Sequence, residues 1–435
     1  MLPMPIDTIA VCIFTTDRQY KMNRTGKLFV IAYFFLSSLC ASAQIEKVTI
    51  DSVQTAENNE LQYYKNQRDL IDLAMKVIHK DPDQRLKNPE KLDSKLKVSL
   101  GPILEYTLST GFTGGTAASG AFSTSSSIPT NVSSILFAVK YTQKKQFLLP
   151  IQTSVWLPGN KFYFIGDWRF LNYPQDTYGF GGYTTTNNLS TVAYKYIRFY
   201  ETGYKKITGN FYAGVGYQLD HHTSIRQSGI SQGTVTDFTK YGYTNTSTSS
   251  GISVDFVFDN RKSSINPEGG SFYANLMFLQ NLKQLGSSSD FNSVLIDVRK
   301  YFQLSQKLVL ALWSYNVITL NGNPPYLDLP GTGSDTYNNT GRGYELGRFI
   351  GKKMVDLEAE LRFGISKNGL VGGVIFTNAE SLSELGSNKL AVISPGIGAG
   401  LRIKFNKFSN TNACIDYGIG KGGSRGFFGN LGETF

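Results

Sequence analysis

Cysteine, histidine and tryptophan are the scarce residues of this chain, with 3 of each among 435. Cys12, Cys40 and Cys414 lie far apart, and the first two fall in a segment expected to be removed from the mature protein. A lone remaining thiol excludes an intramolecular disulfide and a thiolate metal cluster. His221 and His222 are adjacent in a polar stretch read as a loop, with no third ligand at a readable spacing, so no metal or other cofactor is expected. Charged residues make up only 17% of the chain, and beyond the N-terminal region no apolar run is long enough for a transmembrane helix. A catalytic set is lacking too. Asp356, Glu358 and Glu360 have no histidine or reactive serine placed beside them, and Gly372-Gly373 and Gly420-Lys421-Gly422-Gly423 are not followed by the helix that a phosphate loop requires. An enzyme is therefore not expected.

What is present begins with a targeting signal. Lys21, Arg24 and Lys27 precede the apolar run Leu28 to Leu36, and Ala41-Ser42-Ala43 then offers the small residues of a cleavage site. Residues 1–43 read as a secretory signal peptide cut before Gln44, with Met22 the better start because a short basic region normally opens such a peptide. Acylation at Cys40 is disfavoured by the bulky Leu39 before it. The formal charge of +10 does not imply nucleic acid as a partner, which a secreted chain rarely meets; basic residues at a membrane rim instead suit anionic lipid head groups.

Residues 44–97 read as a short periplasmic arm with one helical stretch, in which Leu61, Tyr64, Leu70, Leu73, Ala74, Val77 and Ile78 fall roughly on one face before Asp81-Pro82-Asp83 ends it. Such a stripe could dock a partner, or the arm could cover one end of the domain that follows.

From residue 98 to 435 the chain alternates strand and turn. With 44 glycines, 25 tyrosines and 29 phenylalanines, it favours aromatic-rich β structure. Its mean hydropathy of -0.19 suits a membrane barrel whose polar lumen face offsets its lipid face. Val355 to Phe363 shows the pattern: Val355, Leu357, Ala359, Leu361 and Phe363 alternate with Asp356, Glu358, Glu360 and Arg362. A dry core rarely tolerates such a charged row, whereas a wet lumen does. Sixteen strands can be placed, from 98–108 to 426–435, among them 160–170, 190–203 and 209–220. Long segments at 171–189, 221–248, 319–351 and 379–395 fall on one side and tight turns on the other, so both termini are expected in the periplasm of a Gram-negative bacterium. Tyr196, Phe199 and Tyr200, and likewise Phe162, Tyr163 and Phe164, are expected at the membrane interfaces. In the final segment Phe427, Leu431 and Phe435 share one face around Gly432, and a closing aromatic on the lipid face is similar to the assembly signal of outer-membrane barrels.

Several motifs in order carry a family resemblance. Arg342-Gly343-Tyr344, Glu360-Leu361-Arg362-Phe363, Gly398-Ala399-Gly400-Leu401-Arg402, Asp416-Tyr417-Gly418, the Phe435 ending, and Asp259 to Arg261 followed by Asn266-Pro267-Glu268-Gly269-Gly270 together look like the bacterial surface antigen barrels of the BamA/TamA type. The resemblance implies a transmembrane antiparallel barrel of sixteen strands whose loop before the twelfth strand folds into the lumen. It also implies that Arg342 pairs there with an acidic wall residue at the position of Glu360. Where the family carries an aspartate, this chain has Asn378, which can accept a hydrogen bond from the guanidinium but brings no charge, implying a weaker or rearranged lock. Residues 44–97 leave no room for the POTRA repeats that such barrels usually carry. The function expected is therefore an accessory role in outer-membrane assembly or translocation, with outer-membrane lipids and separate periplasmic or outer-membrane assembly proteins as partners. The alternative is a passive or gated channel.

Overall fold

The computed structural model describes residues 62–87, 97–107, 109–230, 234–242 and 244–435. The expected signal peptide, its cleavage before Gln44, and arm residues 44–61 and 88–96 lie outside the described residues. The described helices before the strands include α1 (Leu70–Val77) and α2 (Gln84–Lys87). These are β1 (Lys97–Thr107), β2 (Gly111–Phe122), β3 (Ser133–Thr142), β4 (Phe147–Trp156), β5 (Phe162–Thr177), β6 (Ser190–Thr208), β7 (Phe211–Ser228) and β8 (Ser247–Asp259). The second half comprises β9 (Phe272–Asn281), β10 (Phe291–Ser305), β11 (Leu308–Gly322), β12 (Lys353–Gly364), β13 (Val371–Leu382), β14 (Ser394–Asn406), β15 (Thr411–Gly420) and β16 (Arg425–Leu431).

All form a single 16-stranded antiparallel sheet in which each strand pairs with its neighbour in sequence, the arrangement of an up-and-down membrane barrel. Among the described residues no ladder joins β16 back to β1, although the two edges face each other: a Cβ built on Gly429 of β16 would lie 3.8 Å from the carbonyl oxygen of Tyr106 in β1. No described helix is long and apolar enough to cross a membrane.

Alternation sets what each face carries. Along β12, Asp356, Glu358, Glu360 and Arg362 are buried in the lumen while Leu357 between them is 54% exposed on the outer face. Outward Ile375, Ile397, Ile415 and Phe427 continue that apolar surface around β13 to β16.

Three expectations need correcting. First, β5 and β7 run for 16 and 18 residues, past their expected ends at 170 and 220, because Asn172 to Thr177 still pair with Ser190 to Lys195 and His221 to Ser228 with Thr191 to Ile197; β6, of 19 residues, starts at Ser190 as expected and runs on at its other end to Thr208. A ribbon that has left the lipid no longer needs an apolar side, so its sequence reads as loop. His221 and His222 accordingly sit in β7, opposite Thr248 and Ser247 of β8. Second, Tyr163, Tyr196 and Tyr200 are not interfacial girdle residues: they face the lumen, where Tyr196 and Tyr200 both donate to Asp220, while Phe162, Phe164 and Phe199 point outward. Neighbouring residues on a strand take opposite faces, so a run of aromatics divides between them.

Third, the last strand ends at Leu431. Phe427 and Leu431 are outward as expected, but Gly432, at φ 95°, turns the chain inward and Phe435 is only 1% exposed. Glu433 is captured by Arg402 at 2.7 Å and by Asn412 at 2.6 Å, and the Phe435 ring lies 5.0 Å from Trp313. Charge pairing and aromatic packing inside outweigh a lipid-facing end.

Candidate functional site

The register of the sheet assembles the site. Across β12 and β13, Asp356 faces Glu380, Glu358 faces Asn378 and Glu360 faces Phe376. Beside them the inward positions of β14 and β15 include Gly396, Gly398, Gly400, Gly418 and Gly420, which leave a bare trough in the wall. The loop between β11 and β12 fills it. A Cβ added to Gly418 would come within 2.8 Å of the Gly343 nitrogen, and one on Gly420 within 2.5 Å of the Tyr344 ring, so only glycine allows this backbone approach.

Arg342, at the inserted turn, is buried among three carboxylates. Nη1 donates to Asp416 at 2.7 Å, Nη2 lies 3.3 Å from Glu358 and also contacts Glu360, and the guanidinium carbon stands 3.8 Å above the centre of the Phe376 ring. Burial alone would push the guanidinium's pKa down; Glu360, Glu358 and Asp416 outweigh it and hold the group above its ordinary value. The backbone is fastened as well. Gly341 N–H donates to Glu358 at 2.9 Å, and Ser424 Oγ donates to the Gly343 carbonyl at 2.8 Å. Tyr344 donates to the Pro395 carbonyl at 2.5 Å and accepts from Lys421 N–H at 2.7 Å. Upstream, Thr332 donates to Glu380 at 2.9 Å, and buried Asp335 accepts from the amides of Tyr337, Asn339 and Thr340. Burial, the largest influence on Asp335, raises its pKa despite those amides.

The charges then run on into the tail after β16. Arg362 donates to Glu360 at 2.8 Å and to the Phe435 carbonyl oxygen at 2.7 Å. Arg402 bridges Asp416 and Glu433. Alternating signs therefore link the inserted loop, three strands of the wall (β12, β14 and β15) and the tail. Breaking such a network by removing one buried partner costs about 3–5 kcal/mol. On the far wall, Arg169 of β5 donates to the Thr336 carbonyl at 2.8 Å, Tyr178 donates to Glu345 at 2.5 Å and Arg348 donates to Thr184 Oγ1 at 2.9 Å. The loop thus crosses the lumen and is held at both sides.

Of the residues singled out in the sequence, Arg342, Gly343, Tyr344, Glu358, Glu360 and Arg362 come together here. Asp356 is buried beside them, but neither of its oxygens has a hydrogen-bond partner among the described residues. Asn378 departs from expectation: its Nδ2 donates to the Arg342 backbone carbonyl at 2.8 Å, and its Oδ1 receives nothing from the guanidinium. Because Glu358, Glu360 and Asp416 already surround the guanidinium, the amide serves the backbone instead. Asp416, Arg402, Glu380 and Glu433 were not singled out as lock residues. The first two stood inside recognised motifs at inward parity, whereas Glu433 follows the end of strand alternation and left no signal.

A cavity of about 1800 Å³ remains in the lumen beside the loop. Its lining includes both Phe427, which points outward from β16, and Phe428, which points inward, together with Pro102, Ile103 and Tyr106 of β1. The cavity therefore borders the seam where β16 and β1 face each other without a ladder among the described residues.

Residues 114–435 match the family model described as the Omp85 superfamily domain. Among solved structures, BamA from Haemophilus ducreyi lacking POTRA domains 1-3 is similar, with TM-score 0.52 and 14% identity over 78% of this chain and 70% of that one. CdiB from Escherichia coli is also similar, with TM-score 0.50 and 10% identity over 77% of this chain and 62% of that one. At these identities the likeness is one of fold. No curated protein matches the sequence.

Proposed function

The chain belongs to the Omp85 superfamily, and from that premise we propose that it assists assembly or translocation of other proteins at the outer membrane, working with separate periplasmic or outer-membrane proteins. Barrels of this superfamily reside in the Gram-negative outer membrane. In this reading the short-turn rim, the arm and the tail after β16 face the periplasm. The observation that carries the proposal is the seam between β16 and β1, which has no ladder among the described residues and is bordered by the cavity: it is the place where the wall has fewest bonds to break for a sideways exit, and an unpaired strand edge is a template for another strand. The locked loop supports it, because a segment held at both walls obstructs passive flow along the axis. No catalytic step is assigned.

The test is reconstitution. Vesicles containing the barrel should speed the folding of a urea-unfolded outer-membrane protein relative to empty vesicles. Equal rates, together with a stable single-channel conductance that rises in Arg342→Ala, would replace this reading with that of a gated channel.

A further inference from the structure

An amphipathic helix on a protein normally buries its apolar face, and α1 does the reverse. Its N-cap Asp69 and first-turn Asp72 are fully buried against the barrel, while Leu73, Val77 and the following Ile78 are 39%, 77% and 60% exposed. The buried side is a complete ionic socket. Arg85 reaches Asp69 at 2.7 Å and Asp72 at 2.6 Å, Lys407 of the β14–β15 turn reaches Asp72 at 2.9 Å, and the Lys407 amide donates to Asp69 at 2.8 Å. Arg68 N–H donates to the carbonyl of Asn368 in the β12–β13 turn at 3.0 Å. The arm is therefore fixed to two neighbouring short turns at one rim of the barrel.

We propose that this outward face is an interfacial anchor, occupied by the acyl and head-group boundary of the bilayer leaflet around that rim, with a preference for anionic phospholipid. Two observations favour lipid as the occupant. Asp69 and Asp72 are consumed in the socket and Asp83 lies 3.5 Å from Arg68, so among the described residues the charges left beside the exposed stripe are those of Lys65, Lys76 and Lys80 against one exposed acid, Asp81. Basic residues flanking a short apolar face are the pattern of a helix lying in a membrane interface. In addition, the strands running into the same two turns carry outward apolar residues at that rim, Ile365 at 58% and Phe405 at 40% exposed, so the lipid-facing belt continues up to the arm's attachment. The inference rests on the barrel's membrane setting and not on what passes between β1 and β16.

The experiment uses the full chain in vesicles, with its native cysteines replaced by serine and an environment-sensitive fluorophore on Val77→Cys, a position exposed enough to leave the fold intact. In vesicles containing phosphatidylglycerol the emission should shift to the blue, be quenched by head-group spin-labelled lipid and resist aqueous iodide. In Lys76→Glu/Lys80→Glu, or in purely zwitterionic vesicles, the shift should shrink and iodide quenching return. Iodide quenching that is the same in every lipid would overturn the proposal. So would shielding from iodide without quenching by labelled lipid, which would assign the face to a second copy of the chain. Heat-modified gel mobility of each variant distinguishes these results from a barrel that has not folded.

Discussion

Arg342 shows how one side chain can hold a loop across a barrel. Its fork meets carboxylates on β12 and β15, its ring contact is on β13, and its carbonyl is held by Asn378. Arg342→Ala would leave Glu358, Glu360 and Asp416 buried without that cation, a loss of about 3–5 kcal/mol. Lower thermal unfolding in detergent and faster protease cleavage within 323–352 should report it. Arg342→Lys should fall between, since an ammonium cannot present the planar fork. Asn378→Asp is the more discriminating variant. An aspartate there would set a carboxylate against the Arg342 carbonyl in place of a donor, so the loop should become more protease-sensitive; unchanged sensitivity would mean that the amide contact contributes little. The pairing of Arg342 with Glu360 was legible from motif order and from alternation along Val355 to Phe363. The part played by Asp416 was not, because strand parity tells which face a residue takes but not which distant strand it meets.

At the level of elements, strand existence was legible and strand extent was less so. Lipid imposes alternation only within its own thickness, and β5 to β7 continue beyond it as polar ribbon. The arm was read by its apolar stripe, yet the structure anchors it by its acids. Asp69 carries a pH prediction. Burial raises its pKa, but Arg85 and the amides of Lys407 and Asp72 more than offset this and leave it lowered. A carboxyl lowered in the docked state contributes stability that is present above its free value of about 4 and is lost as pH falls through the lowered value. Hydrogen exchange of the α1 amides, corrected for intrinsic rates, should show protection at pH 6–7 and its loss on acidification below about pH 4. Lys407→Ala should remove that protection at neutral pH, since it leaves Asp72 with Arg85 alone.

At the scale of the molecule, the lumen is divided between a packed, charge-linked side and an open one. The tail after β16 and the Arg342 end of the loop occupy the region of β10 to β15, the rest of the loop reaches across to β5–β7, and the remaining cavity lies beside it and borders β1 and β16. That the tail folds inward could not be read from the last residues, where an aromatic at the end of an alternating strand suits lipid equally well. Its capture depends on Arg362, Arg402 and Trp313, which stand far away in sequence. The gap is where function is proposed to reside. The measurement of most consequence is therefore a reducible crosslink, Tyr106→Cys with Gly429→Cys, joining β1 to β16 where they approach, read out as the rate of substrate protein folding into vesicles. Assembly or translocation through the gap predicts that oxidation abolishes the acceleration and that reductant restores it. Undiminished acceleration with the crosslink complete would contradict that route.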